Sequence, residues 1–263
     1  MKNQAKKNKQ PLVAQSEETP MNAKYLEKTK IVNFEHSAIQ ALIAERKWLE
    51  LDDFNKIGAA YQFVKDEILF GYNESDDISA SSVLAAGYGQ CNTKGNLLMA
   101  LLRGLGIQCR FHGFTINQQL QKGAIPTYVF WLAPKYIIHS WVEVYFEDRW
   151  INLEGFILDE QYLSSLKHKF SQIKNEFCGY GVATKCFSSP DTNWRGQDTY
   201  IQKEGIHDDF GVYDSPDEFY REKGTNLSGV KRWLYQRVIR HLINFNVANL
   251  RNKTVPEVQN AQP

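Results

Sequence analysis

One helical stretch is apolar on every side, and it constrains the fold more than any other feature of the chain. A polar first turn begins at Asn92, and apolar residues then follow without interruption from Leu97 to Leu102. A helix that is apolar all round is buried on all sides, so we expect this one at the centre of the domain. Gly104 and Gly106 predict its end. The other elements must therefore pack around residues 92–103.

The composition is sufficient for a core of this kind. The chain has 263 residues, of which 43% are hydrophobic and 13% aromatic, and these values exclude a disordered or fibrous protein. Its apolar runs are far shorter than the roughly 18 residues of a membrane span, and its lysine-rich start has no apolar signal segment. Four cysteines in such a chain predict free thiols and a cytoplasmic location, with export by a signal-less route left open.

The formal net charge of +1 hides two basic ends. Residues 1–10 contain lysines but no acid, and residues 231–251 contain lysine and arginines but no acid, so the remaining residues carry a net negative charge. An acidic body argues against a nucleic-acid-binding domain. Either end could contact an anionic surface, although a solubilising tail and a solvated helix face explain the two runs as well.

The patterns divide the chain into five segments. We predict a disordered basic tail at 1–22, an N-terminal helical segment at 23–53 and a core at 54–160. Residues 161–225 form an insertion or a cover over the core, and residues 226–263 form a basic amphipathic helix with a tail. We expect this last helix to dock on the domain by its apolar face. The predicted face consists of Val230, Trp233, Leu234, Val238, Leu242 and Phe245.

Helices precede strands in the core, an order that is typical of an α+β fold. Apolar residues at helical spacing predict helices within 37–51 and 54–70. Alternating residues predict an antiparallel meander of strands at 107–116, 127–132, 137–146 and 150–153. A further helix is predicted over 163–177.

A cysteine stands where the central helix begins. Unsatisfied N–H groups and the positive end of the helix dipole favour its thiolate, the form that attacks a carbonyl carbon. The same N–H groups can donate to the oxyanion that results. We therefore predict that Cys91 is a nucleophile and that residues 91–94 are accessible to water or substrate. Gln90 could donate its amide to the oxyanion or simply shape the turn.

A nucleophilic thiol needs a base, and the base needs an orienting group. His139 lies at the start of the predicted strand 137–146. We expect this strand to end in a hairpin whose two-residue turn is Glu147-Asp148. In that register, Glu154 lies opposite Trp141 and is the diagonal neighbour of His139. The competing carboxylate, Asp159, would point to the other face.

Two stretches resemble the transglutaminase-like superfamily of cysteine acyltransferases and hydrolases, which is related in fold to papain. The first, at 87–111, reads GYGQCNTKGNLLMALLRGLGIQCRF and is similar to the family's Gly-x-Cys start, leucine-rich central helix and following strand. The second, at 139–154, reads HSWVEVYFEDRWINLE and is similar to its His-x-Trp-x-Glu-Val strand and to a return strand that ends in an acid. The resemblance covers about residues 54–160.

The resemblance implies an α+β fold with a papain-like core. In such a core the nucleophile's helix packs on an antiparallel sheet, and this chain adds helices at both ends. Cys91 would be the nucleophile, His139 the base and Glu154 the acid of a triad, although most members have aspartate at the last position.

The activity that the resemblance implies is acyl transfer through a thioester acyl-enzyme. The acyl donor would be an amide or thioester in a protein, a peptide or a small molecule. Amidase, protease and amide-forming transferase activities all stay open. Calcium-dependent members carry further domains and carboxylate clusters that are not found in this sequence, so we expect no metal and no cofactor. The alternative is a catalytically silent interaction module whose basic C-terminal helix contacts a partner or a membrane surface.

Other residues have a functional and a structural interpretation. Trp141 could wall the acyl site or belong to the core, and His112 could line the cleft or be a satisfied polar group. Cys109 is predicted to be a core residue. Cys178 and Cys186 lack the spacing of metal ligands and are predicted to be inert thiols. The oligomeric state is not predicted.

Overall fold

A computed structural model describes residues 22–252 of the chain. Of the predicted basic tail at 1–22, only Asn22 falls within this range, so the prediction of disorder lies outside the described residues. The tail that follows residue 252 lies outside them as well. Within the described range, helices and strands form the mixed α+β fold that was predicted.

The described α-helices surround a central one, α4. In chain order they are α1 (Ser37–Glu45), α2 (Asp53–Asp66), α3 (Ala80–Ala86), α4 (Cys91–Gly104), α5 (Thr127–Phe130), α6 (Glu160–Lys169), α7 (Pro216–Lys223), α8 (Gly229–Leu234) and α9 (Arg240–Asn252). A π-helical turn at Tyr235–Ile239 joins α8 to α9. None of the helices within 22–252 is both long enough and apolar enough to cross a membrane.

The strands form one main sheet and two small pairs. They are β1 (Leu69–Phe70), β2 (Tyr88–Gly89), β3 (Cys109–Asn117), β4 (Tyr136–Phe146), β5 (Arg149–Leu153), β6 (Phe177–Gly179), β7 (Val182–Thr184) and β8 (Ile206–Tyr213). The main sheet has the order β5-β4-β3-β8 and is antiparallel throughout. Its edge strand β8 comes from the predicted cover segment, where the sequence pattern indicated no strand.

Helix α4 lies at the centre, as its sequence predicts. It packs against β4, α2 and α3, and the residues from Cys91 to Arg103 are buried. The prediction that residues 91–94 are accessible is wrong for Asn92, Thr93 and Lys94, which have no exposed surface, whereas Cys91 is 6% exposed. Lys94 is fully buried, and its ammonium group donates to the carbonyl oxygens of Lys65 and Ile157, both at 3.0 Å. Burial lowers the pKa of Lys94 to about 7. Backbone carbonyl oxygens therefore accept the hydrogen bonds of Lys94 that water was expected to accept.

The hairpin between β4 and β5 has the predicted register. Phe146 pairs with Arg149, and Glu143 pairs with Asn152. The two turn residues, Glu147-Asp148, have φ angles of 47° and 59°. Positive φ at both central positions is the property of a type I′ turn, whose twist matches that of the flanking strands. The turn thereby determines which face of the sheet each side chain of the hairpin occupies.

Two of the predicted elements differ in the structure. The predicted strand 127–132 is wrong, because its first residues form the short helix α5. The Pro126 carbonyl starts this helix by accepting from the N–H groups of Val129 and Phe130, at 3.0 and 3.1 Å. The helix predicted over 163–177 is shorter and begins earlier. It is α6, whose first turn is capped by the Asp159 carboxylate through the Tyr162 N–H at 2.9 Å.

The predicted docking face of the C-terminal helix is also wrong. Val230 is 82% exposed, Trp233 60% and Phe245 69%. The segment buries another face instead, through Ile243 and Val247. The π-helical turn explains this for Phe245, which follows it, because the wider turn rotates later side chains away from the face that a 3.6-residue period predicts. Val230 and Trp233 precede that turn, in α8.

Candidate active site

The local chain path presents Cys91 at the first position of α4. Gly87 ends α3 with a φ of 70°, and β2 then leads into the helix. A Cβ on Gly89 would lie 2.7 Å from Thr93 Oγ1, so the chain approaches the helix start more closely than a larger residue allows. The Cys91 side chain is 6% exposed, and its thiol donates to Asn92 Oδ1 at 3.6 Å.

The structure brings the predicted base and acid together. His139 Nε2 lies 2.8 Å from Glu154 Oε1, and both side chains are completely buried. The other carboxylate oxygen of Glu154 accepts from the backbone N–H groups of Ile201 and Gln202, each at 2.9 Å. The acid is therefore held from two sides, and it holds the imidazole in one orientation.

The remaining imidazole nitrogen, Nδ1 of His139, is buried and has no hydrogen-bond partner within residues 22–252. Burial alone would lower the pKa of His139, but its interactions with Cys91 and Glu154 raise that pKa to about 10. Because Nε2 is occupied by Glu154, Nδ1 is the nitrogen that can exchange a proton with the Cys91 thiol.

The cover segment seals the acid. The Glu154 N–H donates to the carbonyl of Thr199 at 3.0 Å, which extends the β5 edge by one bridge. A Cβ on Gly155 would lie 2.6 Å from the Cα of Thr192, so this part of the cover packs directly on the backbone that follows Glu154. The ion pair between Glu154 and His139 is thus shielded from water. The attraction between the two charges is therefore stronger than it would be at an exposed site.

Asp159, the competing carboxylate, lies away from His139. It forms a two-contact ion pair with Arg251 of α9, at 3.0 and 2.8 Å, and accepts from the Phe70 N–H at 2.8 Å. Because β5 ends at Leu153, the parity argument does not extend to Asp159, which lies instead at the start of α6. Its role in the structure is to cap α6 and to join α9 to the body of the molecule.

Gln90 belongs to a polar network beside Cys91 that the sequence pattern did not predict. Its carbonyl oxygen accepts from the Asn73 N–H at 2.9 Å, and its amide donates to Asp76 Oδ1 at 3.3 Å. Asn92 donates to the same oxygen at 3.0 Å. The amide that was a candidate oxyanion donor is therefore already hydrogen-bonded to Asp76.

The second oxygen of Asp76 accepts from the Asn226 side chain at 2.9 Å. Asn226 in turn accepts from the Ile138 N–H at 2.7 Å, and Asn92 donates to the Ile138 carbonyl at 3.1 Å. A buried carboxylate thus links the start of α4 to the residue before His139. The polar run Asn73–Asp77 was predicted only to be a loop.

Trp141 and His112 do not line the cavity beside Cys91. Trp141 packs against Phe114, with ring centroids 4.1 Å apart. His112 bonds to Glu143 at 2.6 Å and to Asp209 at 2.8 Å. Partial burial disfavours its charged form, but the two carboxylates outweigh this and raise the pKa of His112. His112 is therefore a satisfied polar group.

The other three thiols are distant from this chemistry. Cys109 is buried, whereas Cys178 and Cys186 are exposed, and neither they nor Cys91 are in a disulfide. Across residues 22–252, no group of three or more His, Cys, Asp or Glu side chains is arranged to hold a metal ion.

We expect the charge of Glu154 to set the alkaline limb of any activity that uses His139. The raised pKa describes the imidazolium that has taken the Cys91 proton and interacts with the thiolate and with Glu154, and this ion pair is lost as the pH rises through about 10. Glu154→Gln removes the negative charge that favours the proton, so the limb should move to lower pH by about one unit or more. The measurement is kcat/KM against pH.

The matched control for this shift is Glu143→Gln. Glu143 lies on the same strand as His139 but pairs with Arg110 and His112, so its replacement should leave the limb in place. An unchanged limb in Glu154→Gln, or an equal shift in both variants, would show that Glu154 does not support the imidazolium.

Parts of this chain are similar to known proteins. Residues 32–155 match the family model of the transglutaminase-like superfamily. Among solved structures, a protein described as a "putative cysteine protease" from Cytophaga hutchinsonii aligns with a TM-score of 0.42 and 12% identity. The alignment covers 74% of this chain and 48% of that one, so the chain spans about half the length of that protein. Curated proteins give no match. Residues 32–155 therefore belong to the transglutaminase-like superfamily.

Proposed function

We propose that this protein is an enzyme that transfers an acyl group through a thioester on Cys91, with His139 as base and Glu154 as the orienting acid. The observation that carries the proposal is the buried His139–Glu154 pair. The other imidazole nitrogen, Nδ1, has no hydrogen-bond partner within residues 22–252, and the pKa of His139 is raised by its interaction with Cys91. Buried polar atoms normally have a partner, and an unpaired one calls for an explanation. A proton acceptor for a nucleophilic thiol is such an explanation.

The first half of the reaction forms the thioester. The Cys91 thiol passes its proton to Nδ1 of His139, and Sγ attacks the carbonyl carbon of the substrate. The oxygen becomes an oxyanion, for which the free N–H groups at the start of α4 are the available donors. The carbon–nitrogen or carbon–sulfur bond then breaks, and the leaving amine or thiol takes the proton from Nδ1.

The second half releases the acyl group. A water molecule or an amine attacks the thioester and gives its proton to Nδ1, which returns it to Sγ as the carbon–sulfur bond breaks. Glu154 stays ionised in both halves and stabilises the imidazolium. Water as the acceptor makes the protein an amidase or a protease, and an amine makes it an amide-forming transferase.

The arrangement of the three groups favours an enzyme over a silent interaction module. A buried ion pair is not needed for stability in a module without catalysis, because its replacement by well-packed apolar groups often leaves the free energy of unfolding unchanged or increases it. Here the pair is retained, and two backbone N–H groups fix its carboxylate.

The direct test is to trap the acyl-enzyme. Wild-type protein incubated with a 4-nitrophenyl ester and quenched in acid should gain the mass of one acyl group, as read by intact-protein mass spectrometry. Cys91→Ala should gain none, while Cys178→Ala, which removes an exposed thiol, should gain the same mass as the wild type. Equal adducts on wild type and Cys91→Ala would exclude Cys91 as the site, and no adduct on either would favour the silent module.

A further inference from the structure

The cavity beside Cys91 has walls made mainly of carbon. It has a volume of about 130 Å³, and its lining includes Gln90, Cys91 and Asn92 at the start of α4. One wall, the α5 wall, comes from the segment around α5 and the start of β4 and includes Ile125, Val129 and Ile137. The C-terminal helical wall includes Leu234, Ile239 and Ile243.

The polar groups of the cavity are largely engaged. Asp76 is saturated by Gln90, Asn92 and Asn226. The cations Arg232 and Lys231 also line the cavity. Arg232 donates to Ser75 at 3.2 Å and lies 3.8 Å from the Asp77 carboxylate. The Lys231 side chain is exposed to solvent. An acyl group that carries a charge would leave that charge against carbon, which is costly without a partner, whereas an uncharged chain would fill the space without loss.

We propose that the acyl group carried by Cys91 is an uncharged aliphatic chain of medium length, which lies between the α5 wall and the C-terminal helical wall. The inference rests on the proposed function, because the nucleophile in the lining of the cavity makes its occupant an acyl donor. Each methylene buried between the walls should favour the reaction by up to about fourfold. The C-terminal helical segment thereby acts as the specificity element of the site.

The chain-length dependence of the wild-type enzyme tests this directly. We expect kcat/KM for 4-nitrophenyl octanoate to exceed that for the acetate at least tenfold, after each is divided by the rate of the same ester with free cysteine. The 4-nitrophenyl pentanoate should be hydrolysed at least tenfold faster than the glutarate half-ester, which has a carboxylate where the pentanoate has a methyl group. A flat chain-length profile, or a faster glutarate ester, would overturn the proposal.

Neighbouring positions on the π-helical turn give a matched pair of variants. Ile239 lines the cavity, whereas Val238 is 45% exposed. Ile239→Asp should lower the octanoate-to-acetate ratio at least tenfold, and Val238→Asp should leave it unchanged. Equal ratios in the two variants would contradict the role of this wall. The wild-type series decides the question even if Ile239→Asp fails to fold.

The two proposals fail in different ways. If Cys91→Ala hydrolyses all the esters as fast as the wild type, the proposed function is wrong. If hydrolysis depends on Cys91 but does not increase with chain length, only the inference about the acyl group is wrong.

Discussion

Cys91→Ala is expected to lower kcat/KM for acyl transfer by at least about 10⁴-fold, because no other group in the cavity can form the thioester. His139→Ala should lower it by a similar factor, since the thiol then has no proton acceptor at Nδ1. The double variant should be no slower than either single one, because the two residues act as a unit. Steady-state kinetics with a chromogenic ester or thioester measures all three.

The controls separate chemistry from folding. Cys178→Ala should retain wild-type kinetics, because its thiol is exposed on β6. Cys91→Ala should keep a thermal midpoint close to that of the wild type, since the change removes only one sulfur atom. Independent losses that multiply in the double variant would contradict a shared role for Cys91 and His139.

Arg251→Ala is expected to lower the free energy of unfolding by about 3–5 kcal/mol, because it leaves the Asp159 carboxylate buried without its cation. Asp159 is 1% exposed and Arg251 6% exposed. The guanidinium also donates to the Phe70 carbonyl at 2.8 Å, so the change breaks the link between α9 and β1 as well. Urea denaturation followed by circular dichroism gives the difference.

The matched control is Glu35→Ala, which breaks the ion pair with Lys28 where both side chains are about 60% exposed. Exposed pairs are worth about 0–1 kcal/mol, so this variant should stay close to the wild type. A loss of less than 1 kcal/mol in Arg251→Ala as well would show that the buried pair does not hold the C-terminal helix.

The same pair predicts a dependence on pH. Burial alone would raise the pKa of Asp159, but Arg251 and the backbone N–H groups lower it below its ordinary value of 3.8. The stability that the Asp159–Arg251 pair contributes is therefore fully present above pH 3.8. It is lost as the pH falls through the lowered pKa of Asp159. The stability difference between wild type and Arg251→Ala should accordingly shrink as the protein is taken to acid pH.

Local patterns predicted part of the fold well, and the failures have local causes. The uniform apolar surface of α4 predicted its central position, and the two-residue turn predicted the β4–β5 register. The short helix α5 was missed because Pro126 starts a turn within a strand-like composition. The part of the C-terminal face that follows Tyr235 was missed because a π-helical turn changes the period on which the prediction depended.

The sequence by itself determined the place of Cys91 at a helix start and the hairpin register that brings Glu154 close to His139, because both follow from helix and hairpin geometry within short stretches. Only the tertiary structure decided what surrounds them. The N–H groups of Ile201 and Gln202 reach Glu154 across 47 and 48 residues, and Asn226 reaches Asp76 across 150. Contacts over such separations arise from packing of the whole chain, which no local periodicity encodes. The apolar walls of the cavity have the same origin.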